Sequence, residues 1–238
     1  MKNIIQIFIS GEENDISLSL LNNSQRLINL YPNYTYKLFD NNAIIKFLIE
    51  NFDSEILKTY ESLIPFSYKS DFARYCILYK LGGWYFDIGL NVNKKILINE
   101  NTNLVIFRDL NLYSKTSWAC AGGIIFAKQG NKILKKAIQL VVENTKNNYY
   151  GLTPLCPTGP SLFGKAIAIE GIDKNVIIGD FMELTPQHNK KNKAMVLSDG
   201  TIVAFNKEAK GGDLKALGCK GTNNYNDYWN ERNIYNKF

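Results

Sequence analysis

The sequence predicts an α/β fold, a single domain with a mostly parallel central sheet flanked by helices. Three observations carry that expectation. Short apolar runs read as strands: NIIQIFI (3–9), YTYKLF (34–39), NLVIFRD (103–109) and NVIIGD (175–180). Stretches of helical periodicity lie between them, and the chain opens β-α-β-α, the order that builds parallel sheets. The 238 residues hold no repeat and no linker long enough to divide them, so one domain spans 1–238.

Each element has its own signal. The first helix, LSLLNNSQRLINLY (18–31), is broken by Pro32, which cannot donate to the preceding turn. Asp40 is a natural cap for NNAIIKFLIE (41–50). A short helix fits 53–62. A longer one begins after Pro65, runs to Leu81 and stops at Gly82-Gly83, a pair suited to a left-handed terminus. WYFDIGL (84–90) and WACAGGIIFAK (118–128) return as strands, and 131–143 repeats apolar positions at helical spacing. TGPSLFGKAIAIEG (158–171) is a loop opening a helix, with Pro160 in the first turn. AMVLSDGTIVAFN (194–206) reads as a hairpin turning at Asp199-Gly200.

Composition narrows the function classes. With 45% hydrophobic, 13% aromatic and 21% charged residues the chain is ordinarily globular. No apolar run reaches the roughly 18 residues of a membrane span, and MKNIIQIFISGEEND is not shaped like a signal peptide. The expected location is the cytoplasm, with peripheral contact at the inner membrane face as its extension. The net charge is +6, and lysines gather at Lys190, Lys191, Lys193 and again at Lys207, Lys210, Lys215, Lys220. These form either a solvated surface or an attraction to phosphates, of a nucleotide or of a membrane. Neither a dense basic stripe nor a motif points to nucleic acid. Cys76, Cys120, Cys156 and Cys219 are too widely spaced for a zinc or disulfide framework. The single histidine, His188, excludes histidine clusters by count and reads as a surface residue.

The unusual stretch is SDFARYCILYKLGGWYFDIGLNV (70–92). Asp71 and Arg74, three apart, share a helix face while apolar neighbours wrap the rest, so the helix is sandwiched and its charges open toward a cavity. Asp87 stands near the carboxyl end of the next strand, where open α/β sheets bind ligands. The alternative is an ordinary intrahelical ion pair.

SDFARYCILYKLGGWYFD resembles the signature of the sugar-binding-region glycosyltransferases containing a DxD motif, which are family-32 type and related to the catalytic domains of clostridial glucosylating toxins. Ser70, Asp71, Arg74, Leu78, Gly82, Gly83, Tyr85 and Asp87 carry the match. Gln6 and Phe8 in the first strand, YKLFD (36–40), SWACAGGIIFAKQGNKILKKAI and TGPSLFGKAI extend it more weakly. The resemblance implies a GT-A, Rossmann-like domain binding a nucleoside diphosphate sugar, with a uridine donor the expectation. It further implies retaining transfer of a hexose to a glycan or lipid-linked oligosaccharide acceptor, as in surface polysaccharide synthesis. Asp71 and Arg74 would hold sugar hydroxyls, and Asp87 the ribose and metal-diphosphate region. Gln6, Ile7, Phe8, Ser70, Tyr85, Ile88, Gly89 and Trp229 would complete the donor site. The cofactor implied is Mn²⁺ or Mg²⁺, held by Asp87 and Asn224. Residues 219–238, with Asn223, Asn224, Asn226, Asp227 and Trp229, resemble a lid over the diphosphate; a frayed terminus is the other reading. The chain departs from the motif in having Gly89 where the second aspartate belongs. Three outcomes follow: a metal held by Asp87 with C-terminal oxygens, lysines neutralising the leaving diphosphate instead, or a non-catalytic sugar-nucleotide or glycan-binding relative.

Overall fold

The computed structural model describes residues 2–10, 16–184, 193–206 and 224–236. His188, Lys190, Lys191, Lys207, Lys210, Lys215, Cys219, Lys220 and Asn223 lie outside the described residues.

The chain runs β1 (Asn3–Ile7), α1 (Leu18–Leu30), β2 (Thr35–Phe39), α2 (Asn41–Asn51), α3 (Ser54–Ser62), α4 (Phe66–Leu81), β3 (Gly83–Phe86) and β4 (Asn91–Val92). It continues through β5 (Leu104–Arg108), α5 (Asn111–Ser114), β6 (Cys120–Ala127), α6 (Lys132–Lys146), α7 (Pro160–Glu170) and β7 (Val176–Glu183), then β8 (Lys193–Leu197), β9 (Ile202–Phe205) and α8 (Tyr225–Asn230). The caps are those the sequence announced. Asp40 accepts from Ala43 N–H and Pro160 opens α7, while Asp53 and Asn131 cap α3 and α6 in the same manner. Among the described residues no helix is long and apolar enough to cross a membrane.

The described strands form one sheet in the order β2-β1-β3-β6-β5-β7-β8-β9-β4. Helices cover its faces, as an α/β fold requires. Pairing is mixed: β1 is parallel to β2 and β3, and β5 to β7, while β6, β8 and β9 run antiparallel to their neighbours. The reason is local. β3 and β6 are joined by loops and short elements rather than by a long crossover helix, and the Asp199-Gly200 turn folds β8 directly onto β9.

Two buried clusters fill the faces. One gathers Ile5, Tyr85, Ile106 and Ile125 beneath α4, α6 and α7; the other gathers Trp84, Phe86, Phe107 and Met195. Helix α4 lies deep in the first, with Phe72, Ala73, Tyr75, Cys76, Ile77 and Leu78 all at 0% exposure. It ends at Gly82, and Gly83 follows at φ 109°, where a Cβ would stand 2.5 Å from the Asn3 carbonyl oxygen. Only glycine lets β3 turn in beside β1 this closely.

β6 carries the irregularity that shapes the site. Phe126 pairs with Val105, yet Ala121 pairs with Phe107, so β6 carries extra residues within Gly122–Ile125 and bows away from β5 there. β3 also ends at Phe86, four residues earlier than the apolar run 84–90 suggests. Asp87 is the first residue beyond it, held by its N–H to the Gly123 carbonyl at 2.8 Å.

Candidate active site

At the carboxyl ends of β1, β3 and β5, a cavity of about 870 Å³ opens between the sheet edge, α4, the start of α7 and the tail helix α8. That volume is ordinary for a small-molecule site. Asp71 and Arg74 reach it from α4, and Asp87 reaches it from the end of β3.

Arg74 is 5% exposed, and its nitrogens are engaged inside the protein. Nε donates to the Ser70 carbonyl at 3.2 Å and Nη1 to the Gly122 carbonyl at 2.5 Å. Nη2 lies 3.1 Å from Asp71 Oδ1 and 3.5 Å from Asp87 Oδ1. The ring of Tyr85 packs under the guanidinium at 4.5 Å. Burial alone would discourage the charge, but Tyr85, Asp87 and Asp71 more than offset it, and Arg74 stays protonated at any working pH. Arg74, expected to hold sugar hydroxyls, lines the cavity with its nitrogens turned to these protein acceptors. The guanidinium is a bridge between two carboxylates, and its geometry fixes theirs.

The carboxylates are the more open groups. Thr158 Oγ1 donates to Asp71 Oδ2 at 2.9 Å, and Tyr75 fixes Thr158 by donating to its carbonyl at 3.0 Å. Tyr85 donates to Asp87 Oδ1 at 2.7 Å, the oxygen that also faces Arg74. Burial, above all, keeps the Tyr85 phenol protonated and therefore a donor. Among the described residues, the Tyr85 and Arg74 contacts of Asp87 fall on Oδ1, so Oδ2 is the oxygen they leave for a ligand, 3.5 Å from where a Cβ on Gly123 would stand.

Ile7 and Phe8 from β1, Ser70, Tyr85, and Ile88-Gly89 after β3 also line the cavity. Trp229 of α8 lines it too, and its Nε1 donates to the Tyr150 carbonyl at 2.8 Å. The described tail is tied down: Ile234 is fully buried, its carbonyl accepts from Ile64 N–H at 3.0 Å, and Asn236 N–H donates to the Ser62 carbonyl at 2.7 Å. Two expected residues stand elsewhere. Gln6 is 1% exposed and points away from the cavity, its Oε1 accepting from Ser24 at 2.7 Å and Tyr36 at 2.9 Å. It ties β1 to α1 and β2, and strand alternation is the cause, because Ile7 rather than Gln6 faces the cleft. Asn224, expected as a metal ligand, instead caps α8, its amide oxygen accepting from Asn226 N–H and its nitrogen donating to Asp227; Asn226 lines the cavity in its place.

Asp109 and Tyr113 carried no recognised signal, and Lys193 stood out only among the gathered lysines. Asp109, Tyr113 and Lys193 line the same cavity. Burial pushes the Asp109 carboxyl up to about 6, against the pull of the Leu110 N–H and Lys193. Lys193 is 8% exposed, 3.2 Å from Glu183 Oε1, and donates to the Tyr113 hydroxyl. Asp109 closes the run NLVIFRD much as Asp87 closes WYFD, and a carboxylate at the end of an apolar strand was the available clue.

A divalent ion is compatible with this donor set in a limited way. Gly89 offers no side chain, and among the described residues no three His, Cys, Asp or Glu side chains cluster into a cage. Mg²⁺, however, is commonly held by one or two carboxylates, with substrate phosphates and water supplying the rest. Asp87 Oδ2 can serve as that one carboxylate.

The chain is similar to known proteins over part of its length. Residues 19–107 match the family model described as a glycosyltransferase sugar-binding region containing a DXD motif. An uncharacterized glycosyltransferase of Acanthamoeba polyphaga mimivirus is 35% identical over 95 residues, which span 40% of this chain and 38% of the relative. The chain thus matches less than two fifths of that relative's length. The PaToxG glycosyltransferase structure superposes with a TM-score of 0.56 over 71% of this chain and 69% of its own, at 20% identity, a likeness of fold. Over residues 19–107, where Asp71, Arg74 and Asp87 all fall, the chain is similar to the DXD-containing sugar-binding regions of glycosyltransferases, and it carries Gly89 two residues after Asp87.

Proposed function

We propose that this protein is a retaining glycosyltransferase that moves a hexose from a nucleoside diphosphate sugar, with a uridine donor, to a glycan or lipid-linked acceptor. The observation that carries the reading is the convergence of Asp71 and Asp87 on one cavity, both held by Arg74, inside the segment that matches the sugar-binding region.

The residues divide the work. The base and ribose lie along Ile7, Phe8 and Ile9 and reach Asp87. Asp71 accepts hydroxyls of the hexose, a task suited to a carboxylate already oriented by Thr158 and Arg74. Arg74 positions both acids and touches neither substrate. Tyr85 orients Asp87 so that Oδ2 faces the diphosphate. Trp229 and Asn226 close the cavity from the tail side. A bound Mn²⁺ or Mg²⁺ would neutralise charge on the leaving diphosphate. Transfer breaks the bond from the anomeric carbon to the phosphate oxygen and forms the new glycosidic bond on the same face. The acceptor proton passes to the departing phosphate. Catalysis is then mainly positioning and charge stabilisation. The net charge of +6 supports a place near anionic surfaces, at the cytoplasmic membrane face.

Calorimetric titration with uridine diphosphate hexoses, with and without Mn²⁺, followed by donor hydrolysis in the same samples, tests this reading. Binding with turnover that Asp87→Ala abolishes is expected. Binding without turnover under every metal and acceptor tried would favour a sugar-nucleotide-binding protein, the reading that the missing second aspartate itself suggests. In Gly89→Asp, tighter metal dependence would show that position 89 still faces the ion.

A further inference from the structure

The cavity has a second polar wall that the donor reading does not use. Its carboxylate is Asp109, the first residue beyond β5, whose N–H donates to the Ala119 carbonyl at 2.8 Å. Phe126 of β6 pairs with Trp84 on one side and Val105 on the other. Counted from those partners, Asp87 lies three residues up one strand and Asp109 four up the other, so the two are nearly level. Only β6 runs between them, and its pairing with β5 shifts between Phe126 and Ala121, so Asp109 stands two strands across the sheet from Asp87 on the rim of the same cavity.

Beside Asp109 stands Tyr113, which lines the cavity yet is 44% exposed. The Lys193 ammonium lies 4.2 Å from the centre of its ring and bonds its hydroxyl, which holds the ring in place. Lys193 is also paired with Glu183 at 3.2 Å, so its charge is spent within the protein. Among the described residues the wall therefore offers a carboxylate and a braced aromatic ring, with exposed Lys115 at the rim as its other cation. A carboxylate accepts directed hydroxyl bonds, and an aromatic ring covers the apolar C–H face of a sugar. A phosphate placed here would meet the charge of Asp109.

We propose that Asp109 and Tyr113 form the acceptor subsite and that it takes a neutral carbohydrate, with Asp109 accepting from an acceptor hydroxyl and Tyr113 stacking on the ring. This rests on the transferase reading above and narrows its acceptor: the group bound at this wall is a sugar, not a lipid phosphate.

Saturation-transfer NMR on the full chain, with methyl glucosides, galactosides and mannosides and with citronellyl phosphate as separate probes, tests the assignment. The wild type should bind at least one glycoside. Asp109→Asn and Tyr113→Ala should each weaken that binding about tenfold, roughly the effect of losing one charged hydrogen bond or one stacking face. Tyr113→Ala, at an exposed ring, keeps the test decisive if Asp109→Asn fails to fold. Overturning results are an absence of glycoside binding by the wild type, wild-type affinity in both variants, or binding of the phosphate probe alone. Calorimetry with uridine diphosphate in parallel separates the two ideas. Nucleotide binding without glycoside binding sinks the acceptor wall alone, whereas glycoside binding without nucleotide binding sinks the transferase reading.

Discussion

A guanidinium at 5% exposure survives folding because four acceptors surround it, and in this cavity that arrangement also keeps two carboxylates at a fixed separation. Arg74→Met would leave Asp71 and Asp87 facing each other without their cation. Their side chains are 14% and 31% exposed, so water offsets part of the cost. A loss of about 2–4 kcal/mol at neutral pH is expected, somewhat below the cost of breaking a fully buried pair. Urea unfolding would measure it, and a loss under 1 kcal/mol would show that the bridge contributes little. Asp109 gives the residue scale its pH signature. The groups around it are Lys193 from β8, Cys120 from β6, Arg108 beside it on β5 (already paired with Asp180) and Tyr225 from α8, whose own hydroxyl is pushed up to about 12 chiefly by burial and then by Asp71 and Asp109. Its folded value of about 6 lies above the ordinary 3.8, so between those two values the folded state holds the proton more tightly than the unfolded chain does. The contribution of Asp109 to stability is therefore greatest at low pH and falls as pH rises through about 6. Glycoside binding, which needs the carboxylate, should move the opposite way and strengthen through the same range. In Asp109→Asn the binding profile should be flat there, and a wild-type profile already flat from pH 5 to 7 would contradict the role given to this group.

At the scale of elements, the site depends on where β6 bows. Gly122 presents its carbonyl to Arg74 Nη1, and Gly123 presents its own to Asp87 N–H. A Cβ on Gly122 would stand 2.5 Å from that Nη1, and the guanidinium, fixed on its other sides, has nowhere to move. Gly122→Ala should cost about 1–3 kcal/mol by overpacking and lower donor hydrolysis together with stability. Circular dichroism and a hydrolysis assay on one preparation would register both, and unchanged hydrolysis would detach the bulge from the chemistry. Much of this architecture was legible in the sequence, because caps and turns are local. Asp40, Pro32, Pro160 and the Gly82-Gly83 stop announce their elements within a few residues. The antiparallel pairings of β6 were not legible, since pairing depends on partners far along the chain. The short β4, α5 and α8 lack the length over which periodicity can be read. Gln6 shows the same limit at a single position: a motif marks the residue, but strand alternation decides which way it points.

Taken as a whole, the molecule brings residues distant in sequence around one hollow. Thr158 reaches back to Asp71, the tail returns to pair Ile64 with Ile234, and Trp229 anchors to Tyr150 beside the cavity. The acid–guanidinium core was legible because Asp71, Arg74 and Asp87 lie within one continuous stretch. The wall of Asp109, Tyr113 and Lys193 was not, because a bulge and a strand from the far half of the chain assemble it. The most direct measurement is a crystal structure of the protein soaked with a uridine diphosphate hexose and Mn²⁺. The hexose hydroxyls should lie on Asp71, the diphosphate beside Asp87 Oδ2, and the base against Phe8. Density for the nucleotide outside this hollow, for example in the shallow groove at Asn93 and Thr201, with Asp71 and Asp87 untouched, would contradict the account.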